Sequence, residues 1–194
     1  MSRPLVLCST SRYRRELLER LRLPFACAAP EIDESPRPQE AVAALVERLA
    51  IAKARALAER FPDALLIGSD QAAAAEGRLL GKPLHRDAAV AQLLHASGRE
   101  VVFHTAVAVL DPSRDACRVE RDLTRVRFRA LQRRDVERYL DLEAALDCAG
   151  SFKCEGLGIA LFDAIETRDP TALVGLPLIA TARLLRSFGV DPLG

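Results

Sequence analysis

The stretch Ala64-Leu65-Leu66-Ile67-Gly68-Ser69-Asp70-Gln71 decides how the chain is read. Its compact apolar run predicts a central strand buried on both faces. The run stops abruptly at Ser69-Asp70-Gln71, so the strand is predicted to end there with Asp70 directly beyond it. Open α/β sheets bind ligands outside the carboxyl ends of their strands. An acid at such a place can hold a divalent metal or act as a base toward water. A turn-forming aspartate is the plainer reading, and one residue does not decide between them.

On the N-terminal side, Pro4 to Cys8 predicts a short buried strand. Leu17, Leu18 and Leu21 then recur at helical spacing, which predicts a helix over about 12–23 with Ser11 as N-cap. Phe25 to Ala29 reads as a second strand. A polar loop from Glu31 to Pro38 leads into an alanine-rich helix ending near Arg60. On the C-terminal side, Ala72 to Leu80 around Glu76-Gly77 predicts a hairpin. Asp87 to Ser97 predicts a helix stopped by Gly98. Strands are expected over Val101 to Leu110 and Val119 to Phe128, with a turn at Asp111-Pro112-Ser113 between them. Gln132 to Ala145 predicts a helix, and a glycine-rich segment from Ala149 to Gly158 precedes a strand near Ile159 to Phe162. Asp169-Pro170 and Pro177 suit helix starts, and Leu178 to Phe188 predicts a last helix ended by Gly189. Strands and helices alternate without strict βαβ repetition. The expectation is therefore an α/β fold with a mixed central sheet and flanking helices, in one domain spanning 1–194.

Composition narrows the function. The chain has 194 residues, of which 49% are apolar and 28% charged, the balance of an ordinary globular protein. A net charge of +1 offers no global field for nucleic acid or an anionic membrane, so any anion site must be local. Five cysteines without a C-x-x-C pair argue for free thiols in a reducing cytosol. Met1 to Leu7 is too short for a secretory signal, and no apolar run reaches membrane-spanning length. A cytoplasmic protein without a membrane or stable nucleic-acid partner is expected.

Several residues have the chemistry for a phosphate ligand. Ser9-Thr10-Ser11-Arg12-Tyr13-Arg14-Arg15 opens a helix, where free N–H groups and the positive dipole end favour anions. It lacks the glycines and the Lys-Ser/Thr ending of a P-loop, and an N-cap beside a solvated basic face is an equal alternative. Asp33 and Glu34 gain meaning only if the fold brings them toward Asp70, since Mg²⁺ or Mn²⁺ needs several hard oxygens. Lys53 shares a helical stripe with Val46, Leu49 and Leu57, so its stem should point toward the protein body, where lysine often merely snorkels. Lys82 sits in the restrained turn Gly81-Lys82-Pro83. His85, His95 and His104 are dispersed, and neither a zinc motif, a serine-hydrolase elbow nor a dinucleotide fingerprint is present.

In combination these segments become specific. Leu7-Cys8-Ser9-Thr10-Ser11-Arg12-Tyr13-Arg14-Arg15-Glu16-Leu17-Leu18, Ala29-Pro30-Glu31-Ile32-Asp33-Glu34, Ile67-Gly68-Ser69-Asp70-Gln71, Gly81-Lys82-Pro83 and Gly150 to Gly158 occur in the order of the Maf nucleotide pyrophosphatases. The chain resembles that family over essentially its whole length. The resemblance implies a Maf/inosine-triphosphatase-like fold with two lobes around a cleft, frequent homodimers, and metal-dependent cleavage of a nucleoside triphosphate between its α and β phosphorus atoms. It implies that Ser9, Arg14, Lys53 and Lys82 contact or orient phosphates, that Asp70 accepts the proton of the attacking water, and that Glu34 helps hold the metal with Asp70.

The dTTP/UTP-directed branch typically carries threonine after the catalytic aspartate. Gln71 and Glu155 are instead similar to the branch acting on 7-methyl-GTP, which implies Tyr13, Gln71 and Glu155 as specificity positions. The chemistry is coherent. N7-methylation puts positive charge on guanine, which an aromatic face at Tyr13 attracts, and a carboxylate at Glu155 can accept the N1–H and amino protons. Tyr13 departs from the branch's usual tryptophan, and Cys154 from its usual serine. The alternatives are a dTTP/UTP-directed or broad Maf pyrophosphatase and, in another class, a regulatory protein of septum inhibition and cell division.

Overall fold

The computed structural model describes residues 3–143, 145–146 and 148–194. Its elements in chain order are β1 (Leu5–Cys8), α1 (Arg12–Glu19), β2 (Phe25–Ala28), α2 (Val42–Arg55), β3 (Leu65–Ala75), β4 (Arg78–Leu80), α3 (Arg86–Ala96), β5 (Glu100–Asp111), β6 (Ala116–Phe128), α4 (Arg133–Leu142), β7 (Phe162–Glu166) and α5 (Leu178–Ser187). The strands form one seven-stranded sheet in the order β2-β1-β3-β5-β6-β7, with β4 paired to β3. The sheet is mixed: β1 runs parallel to β2 and β3, while β3–β4 and β6–β7 are antiparallel. No helix among the described residues is long and apolar enough to cross a membrane.

The chain divides into two compact units. The first holds the described residues up to Gln71, Thr105–Asp122 and Asp169–Gly194; the second holds Ala72–His104 and Leu123–Arg168. In the first unit the two-residue period of the strands separates two cores. Leu5, Leu7, Leu65 and Ile67 join Leu17 and Leu18 of α1 and Leu184 and Leu185 of α5. Val6, Cys8 and Leu66 join Ala54 of α2 and Leu57 just after it. Burial of that magnitude contributes about 1.5–3 kcal/mol for each large side chain, which fixes β1 and β3 as the centre of the unit. In the second unit Phe103, Phe128, Phe152 and Phe162 make a cluster of edge-to-face rings with centroids 4.7–5.6 Å apart. Gly150, at φ 78°, lies against it; an added Cβ would stand 3.1 Å from both Phe103 and Phe152.

Several boundaries differ from the sequence reading. The central strand does not stop at Ser69 but continues to Ala75, so Asp70 lies within β3 and not beyond its end. The hairpin follows as expected, its turn made by Glu76 and Gly77 at φ 49° and 76°. The first helix ends at Glu19, and Arg22 takes the left-handed φ of 55° that turns the chain toward β2. The strand expected near Ile159 is displaced to Phe162–Glu166, because Leu157–Leu161 forms a 3₁₀ turn. The fourth helix closes at Leu142; of the expected continuation, Ala144 lies outside the described residues.

Candidate active site

Gly68 sets the geometry around Asp70. A Cβ at this position would lie 2.1 Å from the carbonyl oxygen of Ala50 and 2.9 Å from the amide nitrogen of Ala54. Only glycine lets α2 approach β3 so closely. Lys53 lies on the buried face of that helix with Leu45, Val46, Leu49 and Ala50. Its Nζ is therefore carried to 2.6 Å from Asp70 Oδ1 and 3.1 Å from Glu34 Oε1. Lys53 and Asp70 are buried, at 4% and 6% exposure, whereas the Glu34 side chain is 55% exposed. The ammonium thus gathers one sheltered and one solvated carboxylate.

Asp70 Oδ2 makes no hydrogen bond among the described residues. No fully buried side-chain oxygen or nitrogen among them lacks a partner, so this oxygen reaches solvent. Asp33, the neighbouring acid, is turned to a local task. Its Oδ1 accepts the Ser35 N–H at 2.9 Å, and hydrogen bonding from Ser35, foremost its side chain and then its N–H, holds its carboxyl below the usual range.

Ser11 caps α1, accepting the Arg14 N–H at 3.4 Å. Ser9 is buried; its Oγ accepts the Ser11 N–H at 3.1 Å and lies 3.5 Å from Arg14 Nη1. Arg14 donates from Nε to the carbonyl oxygen of Gly175 at 2.9 Å. It forms no ion pair among the described residues. Burial lowers its pKa, and the charges of Asp70 and Glu34 pull it back up. An arginine so placed has guanidinium N–H groups to offer an anion.

Gly175 is a junction that sequence reading missed. Its carbonyl also accepts Ser69 Oγ at 3.0 Å, and its φ of 122° strongly favours glycine. The turn before it is held by Gln71, whose Nε2 donates to Ala172 O at 2.8 Å, Leu173 O at 3.0 Å and Thr105 Oγ1 at 3.1 Å. Thr105 Oγ1 itself donates to Ala172 O at 3.0 Å. Three oxygen acceptors fix the orientation of the Gln71 amide and leave Oε1 as its uncommitted end. Buried Asp169 steadies the following helix, accepting the N–H groups of Thr171 at 2.9 Å and Ile179 at 2.6 Å. Asp169-Pro170 offered a helix-start signal, but nothing in the sequence pointed to Ser69, Thr105 or Gly175.

Tyr13 is half-buried in the first turn of α1. The Arg12 guanidinium lies 4.7 Å from its ring centroid and donates to its hydroxyl at 3.0 Å. Ser9, Tyr13, Arg14, Glu34, Lys53, Asp70 and Gln71 all belong to the first unit, whereas Lys82 and Glu155 belong to the second. Lys82 is exposed between β4 and α3. Glu155 is exposed in the turn before the Leu157–Leu161 segment, and its Oε2 accepts the Cys154 thiol at 3.4 Å. Burial, with the adjacent Glu155 charge, pushes that thiol's pKa up to about 12, which keeps it a protonated donor.

A family described as Maf-like protein matches residues 4–188. A 7-methyl-GTP pyrophosphatase of Xanthomonas oryzae pv. oryzae is 60% identical over 185 residues, covering 95% of this chain and 96% of that protein. One from Aromatoleum aromaticum is 54% identical over 186 residues, covering 96% of each. A solved structure of a HAM1 protein from Coxiella burnetii overlaps 66% of this chain and 73% of that one, with TM-score 0.48 and 19% identity.

Proposed function

The chain belongs to the Maf family, and from this we propose that it hydrolyses a nucleoside triphosphate to monophosphate and pyrophosphate, with 7-methyl-GTP as the preferred substrate. The observation that carries the reading is the meeting of Asp70 and Glu34 at the Lys53 ammonium, 2.6 and 3.1 Å away. The names of the relatives at 54–60% identity support the substrate. The activity would clear a modified nucleotide from the cytosol, the compartment suggested by five free thiols.

In this reading the solvent-reaching oxygen of Asp70 takes a proton from water as that water's oxygen bonds to the α-phosphorus. The bond from the α-phosphorus to the bridging oxygen breaks, and its electron pair leaves on pyrophosphate. Arg14, Ser9, Lys53 and Lys82 offer donors and positive charge to the phosphates, where fixed charge lowers the barrier most effectively. The Gly175 carbonyl orients the Arg14 fork. Glu155 accepts the guanine N1–H and amino protons, and the Tyr13 ring offers a face to the cationic base. Gln71, its NH₂ already bound, has Oε1 to offer the base.

The residues present fit a divalent cation. Asp70 and Glu34 are hard oxygen donors meeting at one positive group, and Mg²⁺ is commonly held by one or two carboxylates with substrate phosphates and water. No group of three or more His, Cys, Asp or Glu side chains among the described residues is placed to hold a metal, which argues against an all-protein cage. Asp70 and Glu34 would hold Mg²⁺ or Mn²⁺, which when bound polarises phosphate oxygens and offsets charge on the transferring group.

The test is product analysis on 7-methyl-GTP with Mg²⁺, with Mn²⁺, and with EDTA. Stoichiometric 7-methyl-GMP and pyrophosphate that disappear with EDTA support the proposal. Release of orthophosphate, or full turnover in chelator, would refute it.

A further inference from the structure

The second unit contains a two-point latch on the turn that carries Glu155. Tyr139, on α4 and only 3% exposed, accepts the Lys153 N–H on its hydroxyl at 3.0 Å. One helical turn later, at the C-cap of α4, Glu143 accepts the Leu157 N–H on Oε2 at 2.6 Å. These backbone groups lie two residues before and two residues after Glu155. The turn between them closes on itself through the Gly156 N–H to the Lys153 carbonyl at 3.3 Å.

The glycines of the segment follow from the latch. A Cβ on Gly156 would stand 2.3 Å from Glu143 Oε2, so the carboxylate reaches the Leu157 N–H only across a bare Cα. A Cβ on Gly158 would stand 2.3 Å from the Lys153 carbonyl oxygen, so that glycine permits the tight return of the chain. Two anchors from one helix and two glycines therefore define the path of five residues with Glu155 at the centre. An exposed loop acid without a task needs no such support. A carboxylate that must meet two adjacent donors of a planar base needs its backbone fixed.

We propose that Tyr139 and Glu143 are positioning residues for Glu155, so that base preference depends on them while cleavage of the phosphate chain does not. The inference rests on the reading of Glu155 as the acceptor for guanine. A pyrimidine triphosphate lacks guanine's two adjacent donors and serves as the internal control.

The experiment compares kcat/KM for 7-methyl-GTP, GTP and UTP in wild type, Glu143→Ala, Glu143→Gln and Tyr139→Phe. Amide hydrogen exchange over residues 153–157 is followed in the same proteins. Glu143→Ala and Tyr139→Phe are expected to lower the guanine-to-UTP ratio by about tenfold or more, with UTP turnover unchanged and exchange accelerated. Glu143→Gln keeps an oxygen that can accept the Leu157 N–H, so it should retain most of the preference. A wild-type preference that survives in Glu143→Ala, or a loss shared equally by UTP, overturns the inference and leaves the base reading intact. A wild type that cleaves UTP as well as the guanine nucleotides overturns the base reading, and this inference with it.

Discussion

Lys53 Nζ lies 2.6 Å from Asp70 Oδ1, an ion pair between two side chains almost withdrawn from solvent. Losing one partner of such a pair is usually destabilising because the other charge is stranded. Here Glu34 stands 3.1 Å from the same ammonium and reaches solvent. Asp70→Asn should therefore fold, with a melting temperature near that of wild type. Its amide cannot take a proton from water, so kcat should fall by about 10²–10⁴-fold. Near-normal kcat in the folded variant would remove Asp70 from the catalytic role.

Arg14 is held by its Nε to the Gly175 carbonyl, and its outer nitrogens carry no carboxylate among the described residues. Arg14→Lys keeps the charge but cannot make the Nε bond and offer a planar fork together. We predict a loss in kcat/KM of about tenfold to a hundredfold, equal for guanine and pyrimidine triphosphates because the contact is to phosphate. A loss confined to one base in a substrate panel would contradict the assignment.

Gly68→Ala would drive a methyl group into the backbone of α2 at Ala50 and Ala54, the residues flanking Lys53 on that face. Neither is a flexible side-chain end, so the helix must shift. Overpacking of this kind costs about 1–3 kcal/mol. Denaturant titration should show that loss, and the folded fraction should turn over more slowly because Lys53 moves with the helix. Unchanged stability and activity would mean that the close approach is not what sets the site.

Asp111 supplies a pH dependence unrelated to catalysis. Its fully buried carboxylate accepts both Arg3 guanidinium nitrogens, with Nη2 at 2.7 Å, and Ser113 Oγ at 2.7 Å. The Arg3 bond foremost holds its carboxyl well below the usual carboxylate range. The folded value lies below the unfolded value of about 3.9, so the associated stability is complete above that pH. It is lost as pH falls from there through the folded value. Wild type should exceed Asp111→Asn in unfolding free energy by a margin constant near neutrality and shrinking below about pH 4. A margin that does not change with acidification would exclude the ion pair as its source.

Much of the sheet was legible because β1 carries a buried apolar run and the hairpin at Glu76-Gly77 carries its turn residues. The misreading of β3 has a physical cause. Ser69, Asp70 and Gln71 look like a loop because three polar residues in a buried strand are costly unless each is bonded. Each is bonded, to the carbonyls of Ala106 and Gly175, to Lys53, and to Thr105 and the 172–173 carbonyls. Those partners are far away in sequence, and the alanines at 72–75 have weak strand preference of their own. The stripe that pointed Lys53 inward was legible from helical spacing. The approach at Gly68, the junction at Gly175 and the latch from Tyr139 and Glu143 were not, since each depends on contacts made only after folding.

The assignment of 7-methyl-GTP as preferred substrate stands on base preference. The most direct measurement is kcat/KM for 7-methyl-GTP, GTP, dTTP and UTP in the same buffer with Mg²⁺, scored by pyrophosphate release. Sites built around a buried or fixed acceptor reject substrates lacking the matching donors more strongly than those differing only in bulk. The account predicts the order 7-methyl-GTP, then GTP, then both pyrimidine nucleotides, with the first step reduced by Tyr13→Leu and the second by Glu155→Ala. Equal kcat/KM for all four nucleotides, or preferences identical in wild type and both variants, would contradict it.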